Sequence, residues 1–392
     1  FTNKAAAELK DRLMTMLGER ASDIWASTFH SACVRILRRN AEKLGYSSHF
    51  TIYDTDDSKR VMKECQKLLG IDDKMLSHKS ILSAISRAKD NLVSHQEYQK
   101  GVGNDLRLHN ISRAYTQYQA ALKTADAMDF DDIIFNTVRL LEDFPDVLSY
   151  YQKRFRYIMV DEYQDTNHAQ YCLTALLAGG YNNLCVVGDD DQSIYRFRGA
   201  TIENILSFEK RFNKAKVIRL ERNYRSTQTI LDAANGVISN NEQRKGKTLF
   251  TENEAGEHIV HFTAYDEQNE ARYIADSILS EVSSGSKWSD HAVLYRMNAQ
   301  SNTIENAFVR SGIPYRIIGG HRFYERKEIK DALAYLAVIN NHNDNVRLKR
   351  IINEPKRGIG NATINYAVQI ANGLGVSLFE VIADAQQYPA LS

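Results

Sequence analysis

A chain of 392 residues with 43% hydrophobic and 25% charged content has the size and composition of a globular protein of two or three domains. Its formal charge of +1 excludes a globally basic nucleic-acid binder, so any such contact must come from a local groove. Its four scattered cysteines form no C-x-x-C pair, so neither a zinc site nor a disulfide framework is indicated, and no apolar run is long enough to span a membrane.

In chain order, apolar residues recur at helical intervals from Thr2 to Leu17 and from Phe29 to Lys43. From about Tyr53 to Ala125 the pattern is helical and charged with no strand, which reads as a helical subdomain inserted into an α/β unit. The α/β pattern resumes with a helix over Phe130–Leu141, then short apolar strands beginning at Tyr157 and Leu184, and a third at Val217–Leu220. A second α/β unit follows, with strands expected at His258–Phe262, Ala292–Arg296 and Tyr315–Ile318. Gly319-Gly320 reads as a hinge, because paired glycines relax the backbone. Glu325–Asn340 and Val346–Ile352 are helical again. The expected fold class is α/β, with two parallel-sheet core domains (1–52 with 126–219, and 220–320) and helical insertions at 53–125 and 321–392.

The Tyr157 strand runs into Asp161-Glu162 within YIMVDEYQDTN. In open parallel sheets, ligands bind at the carboxyl ends of strands. Paired carboxylates there can hold Mg²⁺ and activate water against a phosphoryl group; the competing reading is an exposed acidic turn. The Leu184 strand ends in GDDDQSIYRFRGA at Gly188–Ala200. Three adjacent acids repel one another and need a cation or hydrogen bonds to offset that. Gln192 is placed to position a water or sense a γ-phosphate, or else is a surface turn amide. Tyr195, Arg196, Phe197 and Arg198 alternate aromatic and basic side chains, which suits a single nucleic-acid strand whose bases stack while its phosphates meet guanidinium groups. ERNYRST at Glu221–Thr227 sets Tyr224 and Arg225 at the start of a helix.

In this order and spacing, DEYQDTN, VVGDDDQSIYRFRGA and ERNYRST resemble motifs II, III and IV of the UvrD/PcrA/Rep group of superfamily-1 DNA helicases. FTNKAAAELK resembles that group's motif Ia and STFHSACVRILRR its motif Ib, while AVLYRMNAQS and EPKRGIG match further segments. The resemblance implies RecA-like core domains of the P-loop NTPase type, with ATP and Mg²⁺ as cofactors. It implies ATP-driven 3′-to-5′ translocation on single-stranded DNA and unwinding at single-strand/duplex junctions, in repair or replication. By motif match, Asp161 and Glu162 are implied as metal and general-base groups and Gln192 as a γ-phosphate or water contact. Arg225 resembles an arginine finger, and Tyr224 the family's adenine-stacking tyrosine. Phe1, Asn3, His30, Tyr195, Phe197, Arg198, Arg296 and Asn298 match positions that contact single-stranded DNA. The family usually has Trp where Phe197 stands here, which implies weaker stacking at that position.

The family's glycine-rich P-loop cradles the nucleotide phosphates, and this chain begins within motif Ia without one. Gly246-Lys247-Thr248 is a decoy, because Asn241 stands where the first glycine of G-x-x-x-x-G-K-[ST] belongs. Motifs V and VI are absent as well. The expectation is an internal piece of a monomeric cytoplasmic helicase, inactive as an ATPase by itself. Two further readings stay open. One is the helicase subunit of a recombination helicase–nuclease, from which the compact, PcrA-type motif spacing points away. The other is a non-enzymatic single-stranded-DNA-binding module.

Overall fold

The computed structural model describes residues 2–195, 199–206, 208–212, 215–241, 246–318 and 327–391. The chain divides into two compact units. One comprises Phe1–Ile218, Gln243–Gly246 and Lys327–Ser392, and the other Arg219–Glu242 and Lys247–Arg326.

In the first unit, α1 (Asn3–Leu17) and α2 (Phe29–Asn40) are capped by the hydroxyls of Thr2 and Thr28. Each cap satisfies an N–H that the first helical turn leaves unpaired. Helices α3 (Thr55–Leu69), α4 (His78–Asp90), α5 (His95–Lys100) and α6 (Leu106–Thr124) fill the segment that reads as purely helical in sequence. Strand β1 (Thr51–Ile52) pairs in parallel with β2 (Ala127–Met128). The helical segment therefore leaves and re-enters the α/β part through one strand pair. Next come α7 (Phe130–Asp143), α8 (Pro145–Arg154), β3 (Ile158–Val160), α9 (His168–Ala178) and β4 (Leu184–Val186), then the short α10 (Glu203–Leu206) and α11 (Phe208–Arg211). Strands β3 and β4 run parallel, with Ile158 opposite Leu184 and Val160 opposite Val186.

Two apolar cores hold these elements. Cys33, Ile36 and Leu37 of α2 pack with Val138 and Leu141 of α7, Tyr151 of α8 and Leu173 of α9. Met62, Ile81, Ile85, Tyr115, Tyr118 and Leu122 form the core of the helical segment. Each fully buried side chain of this size contributes about 1.5–3 kcal/mol.

The second unit contains α12 (Gln228–Ile238), α13 (Glu267–Ser283) and α14 (Ser301–Arg310), the last two joined through Ala271, Ala275, Ile278, Ile304 and Phe308. The strands expected at 217–220, 258–262, 292–296 and 315–318 are not formed. Among the described residues of the second unit, only an isolated bridge between Arg222 and Phe250 represents β-structure. The apolar side chains of those runs stand exposed, Ile218, Leu220, Val260, Leu294 and Ile318 among them. A parallel strand requires a neighbour offering donors and acceptors in register, and apolar composition alone does not supply one. The Gly319-Gly320 hinge lies outside the described residues.

Helices α15 (Lys327–Asn340), α16 (Asn345–Ile351), α17 (Asn361–Leu374) and α18 (Leu378–Ala383) share a core at Ala334, Val338, Leu348, Ala371 and Val381. Polar contacts tie them to the rest of the first unit. The Tyr53 hydroxyl donates to Asp344 at 2.7 Å, Asn341 donates to the Ala125 carbonyl at 2.9 Å, and Arg347 pairs with Asp57 at 3.0 Å. Lys330 bridges Asp54 and Asp56. Among the described residues, no helix is long and apolar enough to cross a membrane.

Candidate functional site

Strand β3 delivers Asp161 to solvent at its carboxyl end, and Asp161 Oδ1 accepts the Glu162 N–H at 2.9 Å. Glu162 sits at φ +51°, ψ +43°, a left-handed conformation that costs a non-glycine residue free energy. The ladder holds it there: Val187 N–H donates to the Val160 carbonyl at 2.8 Å and Tyr163 N–H to the Val187 carbonyl at 2.9 Å. Backbone strain therefore falls on the second carboxylate of the Asp161-Glu162 pair.

Gln164, passed over in sequence, joins this strand end to the next. It is 1% exposed. Its Nε2 donates to Glu162 Oε2 at 2.8 Å, and its Oε1 accepts the Asp189 N–H at 3.0 Å. Gly188 makes that approach possible, since a Cβ there would lie 2.5 Å from Gln164 Oε1. Asp189 in turn accepts from the Asp191 N–H at 3.0 Å and from Gln192 Nε2 at 2.7 Å. The predicted acidic repulsion is thus offset partly by local donors. A cavity of about 390 Å³ is lined by Glu162, Gln164, Asp165, Gln192 and Tyr195, among others. Burial, and then the adjacent Glu162, pushes the Asp165 carboxyl up, and Asp165 Oδ1 is buried with no donor among the described residues.

A second cluster forms where α1 and α2 begin. Asn3 Oδ1 accepts from Thr28 and Ser31 at 3.4 Å each, beside His30. The His30 ring lies edge-on to Phe130 at 5.5 Å. Burial lowers the imidazole pKa, opposed by a hydrogen bond with the Phe130 backbone. Phe130 is 53% exposed at the first position of α7. It adds an aromatic face that sequence reasoning missed; an aromatic directly after the Asp129 cap was the available signal. Phe1, Phe197 and Arg198 lie outside the described residues.

Tyr224, Arg225, Arg296 and Asn298 belong to the second unit. Asn223 Oδ1 accepts the N–H groups of Arg225 and Ser226 at 2.9 and 2.8 Å, forming the turn before α12. Tyr224 is 75% exposed, with the Arg222 guanidinium 4.7 Å from its ring centroid. The Arg225 side chain is exposed, as are Arg296 and Asn298. Gly246-Lys247-Thr248 opens no helix, unlike a phosphate-binding loop.

Comparison with known proteins decides the family. The description "UvrD/REP helicase N-terminal domain" matches residues 1–213, and "UvrD-like helicase C-terminal domain" matches residues 218–389. The chain belongs to the UvrD/Rep helicase family. It is 50% identical over 384 residues to a protein of Staphylococcus epidermidis (strain RP62A) named ATP-dependent DNA helicase PcrA, covering 98% of this chain and 52% of that protein. A protein of the same name from Staphylococcus aureus (strain Mu50) is 49% identical over 385 residues, covering 98% and 53%. The chain spans about half the length of these relatives.

Within this family chain, the donor set at Asp161 and Glu162 fits Mg²⁺. Both offer hard carboxylate oxygens at an open strand end, and Mg²⁺ is usually bound through one or two carboxylates plus waters and phosphate oxygens. Among the described residues, no group of three or more His, Cys, Asp or Glu side chains could form a closed metal cage. The four cysteines are free.

Proposed function

We propose that the protein containing this chain is an ATP-dependent 3′-to-5′ single-stranded-DNA translocase and helicase built on two RecA-like core domains. The observation that carries this reading is one network linking the acidic strand end to the aromatic loop. Glu162 bonds Gln164, Gln164 bonds Asp189, and Asp189 bonds Gln192, with Tyr195 on the wall of the same cavity.

Phosphoryl transfer asks a protein chiefly for positioning and electrostatic stabilisation. Glu162 accepts the proton of the attacking water, held in place by Gln164. Asp161 and Glu162 would hold Mg²⁺, which when bound offsets charge on the phosphate oxygens. Gln192 contacts the γ-phosphate or the attacking water. Arg225 stabilises charge on the transferred group, and Tyr224 stacks on the adenine. A shift of Gln192 as phosphate leaves passes through Asp189 and Gln164 to both strand ends, and so to the loop that carries Tyr195. That loop and the Asn3, His30 and Phe130 cluster form the track for one DNA strand, with Phe1, Phe197, Arg198, Arg296 and Asn298 as further contacts. The relatives carry the PcrA name over 98% of this chain, which favours a translocase over the subunit of a helicase–nuclease.

The track is tested by binding of a short oligothymidine across a salt series. Base–aromatic stacking contributes about 1–3 kcal/mol per base, so Tyr195→Ala weakens binding by roughly one to two decades while leaving the salt slope unchanged. Arg198→Ala flattens that slope by up to about one unit, through loss of a phosphate contact. If neither variant alters binding, the loop is not the DNA track.

A further inference from the structure

Asp90 ends α4, at the edge of the helical segment 55–124, yet it touches both loops of the site. Its Oδ1 accepts from Asn167 Nδ2 at 2.5 Å, where Asn167 caps α9 directly after the acidic strand end. Asn167 Oδ1 is already engaged with the Gln170 N–H at 2.9 Å. Asp90 also abuts Gly199: a Cβ on that glycine would lie 2.4 Å from Asp90 Oδ2. Gly199 has φ +83°, which glycine adopts at no steric cost. It belongs to the closing limb of the aromatic loop, where the Ala200 N–H donates to the Tyr195 carbonyl at 3.4 Å. The two loops are further joined by Thr201 N–H to the Thr166 carbonyl at 3.0 Å and by Asn204 Nδ2 to the same carbonyl at 3.0 Å.

A carboxylate is a poor choice here on stability grounds alone. It lies at the negative end of the α4 dipole, half-buried. Burial, and then Asp131, pushes its pKa up to about 7, against the lowering effect of Asn167. What it supplies is an acceptor for Asn167 and a seat for Gly199.

We infer that Asp90 is a positioning residue: it fixes the closing limb of the Tyr195 loop against the cap of α9, and so sets where Tyr195 meets a base. The inference rests on the reading of that loop as the DNA track. It also makes α4 the element through which the helical segment 55–124 bears on the loop.

The test compares binding of oligothymidine with binding of an abasic oligomer of equal length by the 392-residue chain. Tyr195 acts by stacking, so the wild type prefers the oligothymidine. Asp90→Ala lowers that preference by roughly five- to tenfold, and abasic binding, which reads only phosphate contacts, stays unchanged. Asn167→Asp keeps the α9 cap but sets a carboxylate against Asp90, and it lowers the preference likewise. The exchanged pair, Asp90→Asn with Asn167→Asp, restores donor and acceptor in reverse order and restores the preference. This rescue separates positioning from a general loss of fold, and it decides the matter even if Asp90→Ala fails to fold. A wild type without preference overturns the DNA-track reading, and this inference with it. A wild type with preference that Asn167→Asp retains, or that the exchanged pair does not recover, overturns the role of Asp90 and leaves the track reading standing.

Discussion

Replacing Glu162 by Gln, in a protein that joins this chain to a nucleotide-binding Gly-Lys-Thr loop, lowers kcat for DNA-stimulated ATP hydrolysis by about two to four orders of magnitude. Nucleotide affinity stays nearly unchanged. The amide keeps the shape of the side chain and can still accept the Gln164 hydrogen bond, which spans 2.8 Å in the native protein. It also bears the same left-handed backbone at φ +51°. Only the proton acceptor is lost. Steady-state turnover alongside binding of a fluorescent nucleotide checks both halves of the expectation. Near-normal turnover would move the base to Asp165, whose carboxyl burial and Glu162 together push up.

The second large effect concerns the fold. Lys89 is 1% exposed and lies 2.8 Å from both Asp129 and Asp132, pinning the end of α4 to the start of α7. Tyr118 donates to Asp129 at 3.0 Å and Gln119 to Asp132 at 3.2 Å. Burial works against the Asp129 charge, but Lys89 together with the hydrogen bonds from the Asp132 N–H and Tyr118 outweighs it and holds that carboxyl low. Burial and Asp129 push Asp132 up. Removing one partner of a buried pair leaves uncompensated charge, so Lys89→Met destabilises the protein by about 3–5 kcal/mol at neutral pH. Without the ammonium, both carboxyls have folded-state pKa values above their unfolded ones. Such groups favour the folded state fully below the unfolded pKa and lose that contribution as pH rises through the folded pKa. The deficit of Lys89→Met therefore shrinks as pH falls from neutral toward the ordinary carboxylate range. Urea unfolding of both proteins over that pH range measures it, and a deficit independent of pH would contradict the assignment.

Short-range features were legible in sequence. The helical segment and the placement of Asp161-Glu162 at a strand end follow from periodicity and side-chain chemistry within a few residues. Contacts between distant segments were not. Gln164 meets Asp189 across 25 residues and Asp90 meets Asn167 across 77, and no local pattern records either approach. The same limit explains the second unit. Runs such as His258–Phe262 have strand composition, yet among the described residues no neighbouring strand pairs with them. The grouping of Lys327–Ser392 with the first unit rests on Tyr53, Asp57 and their partners near residue 344, again a long-range match.

The central claim is that the acidic strand end and the aromatic loop work together as a DNA motor. Strand displacement by the full-length protein, with ATP and Mg²⁺, on duplexes tailed at either end tests it most directly. The account predicts release of the strand from the 3′-tailed substrate, little from the 5′-tailed one, and loss of release in Glu162→Gln with single-strand binding retained. ATP-independent release, or no release from either substrate by a protein that binds both, would contradict it.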